Sequence, residues 1–358
     1  MGGQRYRAAV IGCGKMSRGH AHAYAVNARV DLVAGADVSD AARAGFASDF
    51  GLESMYDDPA EMLATEKAAL VSVCTWPPHH TDLVEAAFAA GARGVWCEKP
   101  MAVHLADADR MVAAAEAAGG ALIINHQRRY VESYRQARAL IEDGAVGELT
   151  QITGICGGDA LTDGTHLIDM TRYLNGDCPI TAVFGAIDMT PKGDVSPDGM
   201  GTIEFNQTRM RYGHHVESGS MAILFFENGV RGQLEMGNAA RPGYQRFFID
   251  GTDGRIELSG DRPFDDGSRI RVRQGTGAME SLPASTLDGA MEGALADLLA
   301  TIETGAGHPL SGESGREDLE IVNAIYESAR RRMIVPLPLE VTESPLEAML
   351  ATGEITLN

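Results

Sequence analysis

The sequence predicts two domains, an α/β domain built on a parallel sheet and, after it, an α+β domain built on an antiparallel sheet. Strand-like and helix-like segments alternate over the first third of the chain, which is typical of a parallel sheet with right-handed crossovers. From about residue 149 onward, strand-like runs follow one another through Gly, Asn and Asp turns, which favours antiparallel pairing. The length of 358 residues also suits two hydrophobic cores better than one.

The first domain is predicted from apolar runs that end in turn or polar residues. In chain order they are a strand at Tyr6–Ile11, a helix to about Asn27, a strand at Val30–Ala36, a helix at Asp40–Phe50, a strand at Leu70–Thr75, a helix at Thr81–Ala90, a strand at Gly94–Cys97, a helix at Leu105–Ala118 and a strand at Ala121–Asn125. We predict the domain boundary close to this last strand, which gives domains of residues 1–125 and 126–358.

The second domain is predicted from a helix at Tyr130–Glu142 and a series of short strands. The strands are expected at Leu149–Ile155, Ile180–Ile187, Ala222–Phe226, Val230–Met236, Arg246–Ile249, Arg255–Leu258 and Arg269–Val272, with one helix at Thr165–Leu174 inserted early. The Asn228-Gly229 pair predicts a hairpin turn between two of these strands. Two helical stretches follow, Met291–Thr304 and Arg316–Arg331, and the tail carries no clear pattern.

Composition argues against several classes of function. A net charge of −20 opposes binding to a phosphate backbone, so we expect no nucleic-acid partner. No apolar run approaches the length of a membrane span, and the amino terminus lacks the pattern of a signal peptide. The five cysteines are scattered without a CxxC pair or zinc spacing, which indicates reduced thiols in a cytoplasmic protein without a metal site.

A glycine-rich motif, Gly12-Cys13-Gly14-Lys15-Met16-Ser17, follows the first strand and opens the first helix. The first glycine permits the tight turn, the second lets the backbone approach a pyrophosphate, and Ser17 is small enough for the third position. The helix amino terminus offers free N–H groups and a positive dipole end to phosphate. We therefore predict a dinucleotide site made by Gly12, Cys13, Gly14, Lys15 and Met16, rather than a plain glycine-rich turn.

Asp37, at the end of the second strand, lies about 20 residues after the glycine motif, where dinucleotide-binding domains carry an acidic residue. A carboxylate there accepts hydrogen bonds from the ribose hydroxyls and repels a 2′-phosphate. No Arg or Lys follows immediately, since the next residues are Val38-Ser39-Asp40. The predicted cofactor is therefore NAD, with NADP less favoured. The alternative is that Asp37 only caps a turn.

The later strands of the first domain also end in polar or proline-rich loops. Open α/β sheets bind ligands at the carboxyl ends of their strands, so we assign these loop residues to the cofactor site as well. They are Thr75 at the end of one strand with Trp76, Pro77 and His80 in the loop after it, and Glu98 and Lys99 after the next strand. The alternative for Lys99 is an ordinary surface lysine.

A polar cluster, Gly164-Thr165-His166-Leu167-Ile168-Asp169, lies in an otherwise apolar helix. A neutral imidazole is matched to accept a hydroxyl proton near pH 7, and a nearby ammonium would stabilise the developing alkoxide. Lys99 and His166 are therefore predicted to act as an acid/base unit, with a carboxylate that orients the imidazole. The alternatives are a helix histidine whose bonds are satisfied locally and, for Asp163, a helix N-cap.

These residues resemble the Gfo/Idh/MocA family of sugar and polyol oxidoreductases over most of the chain. The motifs that carry the resemblance are Val10-Ile11-Gly12-Cys13-Gly14, Thr75-Trp76-Pro77-Pro78-His79-His80, Ala90-Gly91, Glu98-Lys99-Pro100, Arg129-Tyr130, Gly144-Ala145-Val146-Gly147-Glu148, Gly164-Thr165-His166-Leu167-Ile168-Asp169 and Gly251-Thr252-Asp253-Gly254. The most specific of them is Glu98-Lys99-Pro100. The resemblance implies a Rossmann domain followed by an α+β domain with a large, mostly antiparallel sheet that mediates homodimers or homotetramers.

The resemblance also implies that Lys99 and His166 are the catalytic pair. Many members place an aspartate four residues before that histidine, where this chain has Thr162. The orienting carboxylate is then either Asp163, one residue closer, or Asp169. The stretch from residue 188 to residue 219 is longer than the usual connection, which implies a remodelled substrate pocket.

The sequence therefore predicts an NAD-dependent dehydrogenase that oxidises a secondary hydroxyl of a sugar, polyol or inositol-like substrate. A second hypothesis is a redox-neutral sugar lyase, glycosidase or epimerase that reduces bound NAD transiently. A third is a non-catalytic NAD(P)-binding regulator. The residues predicted to contact the substrate are Lys99, Arg128, Asp159, His166 and Tyr244.

Overall fold

The structure, a computed structural model, describes residues 5–190, 210–237, 245–260, 264–283 and 289–356. The chain divides into two compact units. The first consists of Met1–Gln127 and Gly289–Arg316, and the second of Arg128–Asp288 and Glu317–Asn358. A segment near the end of the chain thus belongs to the first unit. The predicted domains of residues 1–125 and 126–358 stay a prediction.

A sheet of six parallel strands forms the centre of the first unit, in the order β3-β2-β1-β4-β5-β6. The strands are β1 (Tyr6–Ile11), β2 (Val30–Ala36), β3 (Ser54–Tyr56), β4 (Leu70–Val73), β5 (Gly94–Cys97) and β6 (Ala121–Ile124). The order reverses between β1 and β4, and such a switch point is where doubly wound sheets bind ligands. The predicted parallel α/β domain is confirmed.

The helices of the first unit connect these strands. They are α1 (Ser17–Val26), α2 (Asp40–Phe50), α3 (Pro59–Glu66), α4 (His80–Ala89), α5 (Leu105–Ala118) and, from late in the chain, α8 (Ala290–Thr304). Local sequence signals set several ends: the Ser39 hydroxyl accepts a hydrogen bond from the Ala42 amide at the start of α2, and Gly51 ends that helix in the left-handed region. Met291 of α8 packs against Gly19 of α1, where an added Cβ would lie 3.3 Å from its methyl carbon.

The central strands of the first sheet are buried on both faces. All four residues of β4 and of β5 are buried, and Trp96 in β5 is fully enclosed. Such continuously buried strands are expected in a parallel sheet that helices cover on both sides. The strand ends are therefore the part of this sheet that offers polar groups to a ligand.

A sheet of nine strands forms the second unit, in the order β16-β15-β14-β13-β7-β12-β11-β8-β17. Its strands are β7 (Leu149–Cys156), β8 (Ile180–Asp188), β11 (Gly219–Phe226), β12 (Arg231–Met236), β13 (Gln245–Gly251), β14 (Gly254–Ser259), β15 (Ile270–Gln274), β16 (Glu280–Ser281) and β17 (Val335–Pro336). A separate pair consists of β9 (Met210–Arg211) and β10 (His214–His215). Only β7 and β12 run parallel within the nine-stranded sheet, so the prediction of a large, mostly antiparallel sheet is confirmed.

The described helices of the second unit are α6 (Glu132–Glu142), α7 (Gly164–Leu174), the part of α9 (Gly312–Arg331) that follows residue 316, and α10 (Pro345–Thr352). Helix α7 packs closely on the sheet because β7 carries a glycine there. A Cβ on Gly154 would lie 3.0 Å from a methyl carbon of Leu167. This contact fixes the height of α7, and hence of its polar residues, above the sheet.

The Asn-Gly hairpin predicted between β11 and β12 is present. The Gly229 amide donates to the Phe226 carbonyl at 3.0 Å, and Gly229 adopts a φ of 83°. Only glycine adopts that backbone conformation without strain. Among the described residues, no helix combines the length and the apolar character that a bilayer span requires. Tyr244 lies outside the described residues.

Candidate active site

The glycine motif forms a turn whose two glycines serve different purposes. Gly12 has a φ of 88°, and a Cβ there would lie 2.6 Å from the Cys74 carbonyl oxygen. Gly14, in contrast, is exposed, and an added Cβ would meet no protein atom within 4 Å. The first glycine is therefore required by the packing of β1 against the loop after β4. The second leaves room for a ligand to approach the backbone, as a pyrophosphate site needs.

Ser17 occupies the third position of the motif and stabilises the turn. It is fully buried, and its hydroxyl donates to the Gly14 carbonyl at 2.6 Å. The Arg18 guanidinium donates to the same carbonyl at 2.8 Å and to the Cys13 carbonyl at 3.3 Å. The sequence did not indicate that Arg18 has this role. The turn is thus held from its carbonyl side, which leaves its amides at the amino terminus of α1 for an anion.

Asp37 is held in place by two backbone amides of the surrounding loops. Its Oδ2 accepts from the Cys13 amide and its Oδ1 from the Ser39 amide, each at 2.8 Å. The Arg43 guanidinium donates to the Asp37 carbonyl oxygen at 2.5 Å. Each carboxylate oxygen keeps further lone pairs, since a carboxylate can accept about four hydrogen bonds. The geometry therefore suits two ribose hydroxyls beside the glycine turn.

Backbone hydrogen bonds extend the sheet past the strand ends and fix the loops at its carboxyl edge. Three amides donate to backbone carbonyl oxygens of the neighbouring strands: Cys74 to Ile11 at 2.7 Å, Glu98 to Val73 at 2.8 Å and Asn125 to Cys97 at 2.8 Å. Sequence analysis predicted that these loops share one edge, and their register now follows from the strand pairing. Glu98 and Asn125 consequently lie side by side.

His80 connects two of these loops. Its Nε2 lies 3.1 Å from the Thr75 carbonyl oxygen, and its Nδ1 lies 3.1 Å from that of Pro100 and 3.2 Å from that of Met101. The ring is fully buried, and burial lowers the pKa of His80. A neutral imidazole has one N–H, so it donates to one side at a time. In the same loop Pro77 is buried, Thr75 is half-buried and Trp76 is 53% exposed.

Glu98 is a buried carboxylate rather than an exposed one. It is 5% exposed, and Oε1 accepts from His20 Nε2 at 3.0 Å and from Asn125 Nδ2 at 2.7 Å. Its Oε2 accepts from the Lys99 amide at 3.2 Å. Burial raises the pKa of Glu98, but the combined effects of His20, Lys99 and Asn125 outweigh it, and the pKa is lowered overall. Glu98 is therefore ionised.

Lys99 follows directly and is half-buried. The residue before it is held through the buried Glu98 side chain, and the carbonyl of the residue after it, Pro100, faces His80. The backbone at Lys99 is thus fixed on both sides. Lys99 belongs to the first unit and His166 to the second.

In the second unit, His166 lies in the first turn of α7 and is 4% exposed. Asp163 occupies the N-cap position of this helix, but its side chain makes no capping hydrogen bond. Its Oδ2 instead accepts from Arg211 Nη1 at 2.8 Å. Asp163 therefore holds the N-cap position that one interpretation gave it, but its side chain binds Arg211 instead of capping a helix amide.

Arg211 joins Asp163 to a second buried carboxylate, Asp159. Arg211 Nη1 donates to Asp159 Oδ2 at 2.7 Å, and Asp159 Oδ1 accepts from the Thr162 amide at 2.6 Å. Burial lowers the pKa of Arg211, but the two carboxylates outweigh it and the pKa is raised. Asp159 is 3% exposed. The side chain predicted to contact substrate is thus bound within the protein and holds the loop that leads into α7.

Asp169 is paired with a different arginine. Its Oδ1 accepts from Arg129 Nε at 2.8 Å, and both side chains are buried. Burial raises the pKa of Asp169, and Arg129 and Arg172 oppose this shift. Arg128, a predicted substrate contact, is 9% exposed. Asp163 and Asp169, the two carboxylates suggested as orienting partners of His166, are therefore each bonded to a buried arginine. Spacing within the sequence did not reveal these ion pairs.

Glu217 is a further buried carboxylate near the start of α7, and sequence analysis did not identify it. Its Oε1 accepts from the Ala160 amide at 2.7 Å and its Oε2 from the Tyr326 hydroxyl at 2.8 Å. Burial and the nearby Asp159 raise the pKa of Glu217 to about 7. The only signal was its position beside a strand, and that does not distinguish it from a surface residue.

Comparison with known families decides the identity of this fold. A family model described as "Oxidoreductase family, NAD-binding Rossmann fold" matches residues 6–126, and one described as "GFO/IDH/MocA C-terminal domain" matches residues 134–257. Together they cover more than half of the chain. The chain belongs to the GFO/IDH/MocA oxidoreductase family. The predicted family, the predicted NAD-binding Rossmann domain and the prediction of an oxidoreductase are thereby confirmed.

Several curated proteins are similar to this GFO/IDH/MocA chain over nearly its whole length. D-apiose dehydrogenase of Paraburkholderia graminis is 27% identical, with 98% of this chain and 95% of the relative covered. Inositol 2-dehydrogenase of Rhizobium meliloti is 26% identical, with 92% and 98% covered. Among solved structures, levoglucosan dehydrogenase in complex with NADH and L-sorbose matches with a TM-score of 0.79 at 22% identity, over 94% of this chain and 100% of that chain. This structural likeness shows the fold.

The residues of the family's cofactor domain fit NAD in this chain. The left-handed Gly12, the open approach to Gly14 and the Asp37 carboxylate beside them are features that a dinucleotide site requires. The carboxylate favours NAD over NADP because a 2′-phosphate would meet its negative charge. The third sequence hypothesis, a non-catalytic regulator, is set aside by the confirmed oxidoreductase family.

Proposed function

We propose that this protein is an NAD-dependent dehydrogenase that oxidises a secondary hydroxyl of a sugar, polyol or inositol-like substrate. The observation that carries the proposal is the fixed position of Lys99 at the carboxyl end of β5, in the same sheet edge as the glycine turn and Asp37. A lysine that served only solubility would not need a buried carboxylate before it and a buried histidine bonded to the residue after it. The substrate class rests on the names of the relatives.

The proposed chemistry divides between the cofactor and the protein. When bound, NAD supplies the acceptor for the hydride that leaves the substrate carbon. The proton of the hydroxyl must leave as well, and we assign it to the imidazole of His166. The Lys99 ammonium stabilises the negative charge that develops on the substrate oxygen. The amides at the start of α1 bind the pyrophosphate, and Asp37 binds the ribose.

The carboxylates near His166 receive a different role from the one first considered. Asp163 binds Arg211 and Asp169 binds Arg129, and both pairs are buried. We propose that these pairs position α7, and through it His166, instead of contacting the substrate. Asp159 acts in the same way through Arg211, while Arg128 is kept as a candidate contact for a substrate hydroxyl.

The redox-neutral alternative is distinguished by stoichiometry. Purified protein is incubated with NAD and a panel of D-apiose, myo-inositol, levoglucosan and methyl β-D-glucoside, and absorbance at the NADH wavelength is compared with product formation. We expect one NADH per product molecule. Product that accumulates without NADH, with bond cleavage or inversion of a centre, would contradict the dehydrogenase and support the alternative.

We further propose that the protein is cytoplasmic and forms a homodimer or homotetramer through the large sheet of the second unit. The support for the assembly is the family resemblance together with exposed apolar side chains on that sheet, Phe184 at 37% and Met221 at 45% exposure. Light scattering after gel filtration tests this assignment. A single species at the monomer mass of 38.0 kDa across micromolar concentrations would contradict it.

A further inference from the structure

Glu98 carries a negative charge in the interior of the first unit, immediately before Lys99. Burying an ion costs several kcal/mol unless hydrogen bonds replace its water. Three donors do so here, and they come from His20, Asn125 and the Lys99 amide. Asn125 lies beside Glu98 because of the register of the neighbouring strands, and the Lys99 amide lies there because Lys99 is the next residue in the chain. His20 is different, since it comes from α1, 78 residues away in sequence.

The hydrogen-bond directions around His20 follow from the donors and acceptors available. Glu98 is ionised and only accepts, so His20 Nε2 carries the proton. His20 Nδ1 lies 3.0 Å from the Ser72 hydroxyl, so both ring nitrogens have hydrogen-bond partners. The Ser72 hydroxyl also lies 2.8 Å from the Tyr24 hydroxyl. A hydrogen-bonded chain Tyr24–Ser72–His20–Glu98 therefore ends on the carboxylate.

Packing leaves the imidazole little freedom to turn. His20 is 0% exposed, and its ring centroid lies 4.1 Å from that of Trp96 in β5. Trp96 Nε1 donates to Asn125 Oδ1 at 3.1 Å, which orients the Asn125 amide so that its nitrogen faces Glu98. Trp96 thus holds in place both side chains that donate to Glu98, the His20 ring by stacking and the Asn125 amide by a hydrogen bond.

Helix α1 consequently serves two functional elements. Its amino terminus begins at the glycine turn, where the dinucleotide pyrophosphate is expected, and one turn later it supplies His20 to the carboxylate before Lys99. We propose that His20 is a positioning residue, which fixes Lys99 relative to the cofactor helix by holding the Glu98 carboxylate. This inference rests on the proposed function of Lys99, and nothing in the sequence pattern had assigned His20 a role.

A matched pair of variants tests the proposal. Both His20→Gln and His20→Asn place an amide in the cavity, but only the Gln side chain is long enough to donate to Glu98. The side-chain chemistry and the loss of the aromatic ring are common to both. A difference between the two variants therefore reports the bond to Glu98, and a loss shared equally reports cavity filling.

Two measurements are made on each variant. The first needs no cofactor: acetylation of Lys99 by an N-hydroxysuccinimide ester is followed by peptide mass spectrometry, with exposed Lys67 as internal reference. The second is the kcat and the KM for NAD with whichever of D-apiose, myo-inositol, levoglucosan and methyl β-D-glucoside the unmodified protein oxidises. We expect His20→Asn to change the relative labelling of Lys99 at least threefold and to lower kcat at least tenfold, with the KM for NAD changed less than threefold. His20→Gln should recover most of both effects.

The outcomes separate this inference from the proposed function. Wild-type labelling and kcat in His20→Asn, or equal losses in the two variants, would overturn the role of His20. If Lys99→Ala itself keeps turnover within a few-fold, the proposed function of Lys99 is wrong, while the labelling still measures its position. If His20→Asn does not fold, Ser72→Ala replaces it, because that change removes the partner that orients the ring at Nδ1 and so weakens the alignment of Nε2 with Glu98. Unchanged Lys99 labelling and kcat in Ser72→Ala would then contradict the proposal.

Discussion

The Asp37 carboxylate accepts a hydrogen bond from the Cys13 amide at 2.8 Å. This bond joins the end of β2 to the middle of the glycine turn after β1, so the acidic residue and the phosphate loop are fixed relative to one another. Arg43 lies beside them and bonds the Asp37 carbonyl oxygen. The Asp37 carboxylate, which would repel a 2′-phosphate, therefore belongs to a residue that is also bonded to the Arg43 guanidinium.

Removal of the Asp37 charge should therefore change the coenzyme preference. We expect Asp37→Ala to weaken NAD binding about tenfold or more, because the ribose loses its acceptors, and to leave NADP binding equal or improved. Dissociation constants for the two coenzymes, measured by calorimetry, check this expectation. Asp37→Asn is the control that removes the charge but keeps an acceptor. An equal loss for both coenzymes would refute the argument.

Substitution by alanine should destabilise the protein at Gly12 but not at Gly14. Gly12→Ala places a Cβ 2.6 Å from a backbone oxygen at a positive φ, so we expect a loss of about 2 kcal/mol or more in the free energy of unfolding. Gly14→Ala meets no protein atom, and its stability should stay within about 0.5 kcal/mol of wild type. NAD affinity should nevertheless fall in Gly14→Ala. Urea unfolding and calorimetry separate the two effects.

Stability should decline in mild acid because of buried neutral histidines. Burial lowers the pKa of His308, whose Nδ1 accepts from the Leu310 amide at 2.9 Å. Since the folded pKa lies below the unfolded value of about 6.5, this contribution is present above pH 6.5 and is lost as pH falls. Unfolding free energies between pH 7.5 and 5.5 measure it. His308→Gln should reduce the slope by up to about 1.4 kcal/mol per pH unit, and an unchanged slope would count against a neutral buried ring.

Arg211 should be important for the stability of the second unit. Arg211→Met leaves the Asp159 and Asp163 carboxylates buried together without their shared cation, which costs about 3–5 kcal/mol. Arg231→Met, on an exposed position of β12, is the control and should change stability by about 0.5 kcal/mol or less. Urea unfolding at pH 7.5 compares the two. Similar small effects in both variants would show that the buried ion pairs carry little of the stability.

Much of the fold followed from local sequence patterns. The strands Tyr6–Ile11 and Val30–Ala36 were predicted with their observed bounds, because apolar runs that end in glycine or aspartate leave little ambiguity. Ser54–Tyr56 and Pro59–Glu66 were missed, since three residues carry too little pattern for a strand and the short helix lacks a strong apolar face. The attachment of Ala290–Thr304 to the first unit is a tertiary contact that periodicity does not encode.

The site was predictable to the extent that its residues lie in one motif. Gly12, Gly14 and Asp37 were placed by spacing within a βαβ unit, which dictates their geometry. The partners of Glu98 and Asp163 were not, because His20 and Arg211 come from distant segments and ordinary contexts. A buried ion pair depends on which strands become neighbours, and one sequence alone does not record that.

The turnover of Lys99→Ala and His166→Ala tests the central claim most directly. Each variant is compared with wild type, and with the exposed Lys67→Ala as control, for NADH formation on the preferred substrate and for the dissociation constant of NAD. We expect kcat to fall at least about 100-fold in both site variants, as for loss of an acid/base group, with NAD binding changed less than about threefold. Turnover within a few-fold of wild type in either variant would contradict the assignment of that residue.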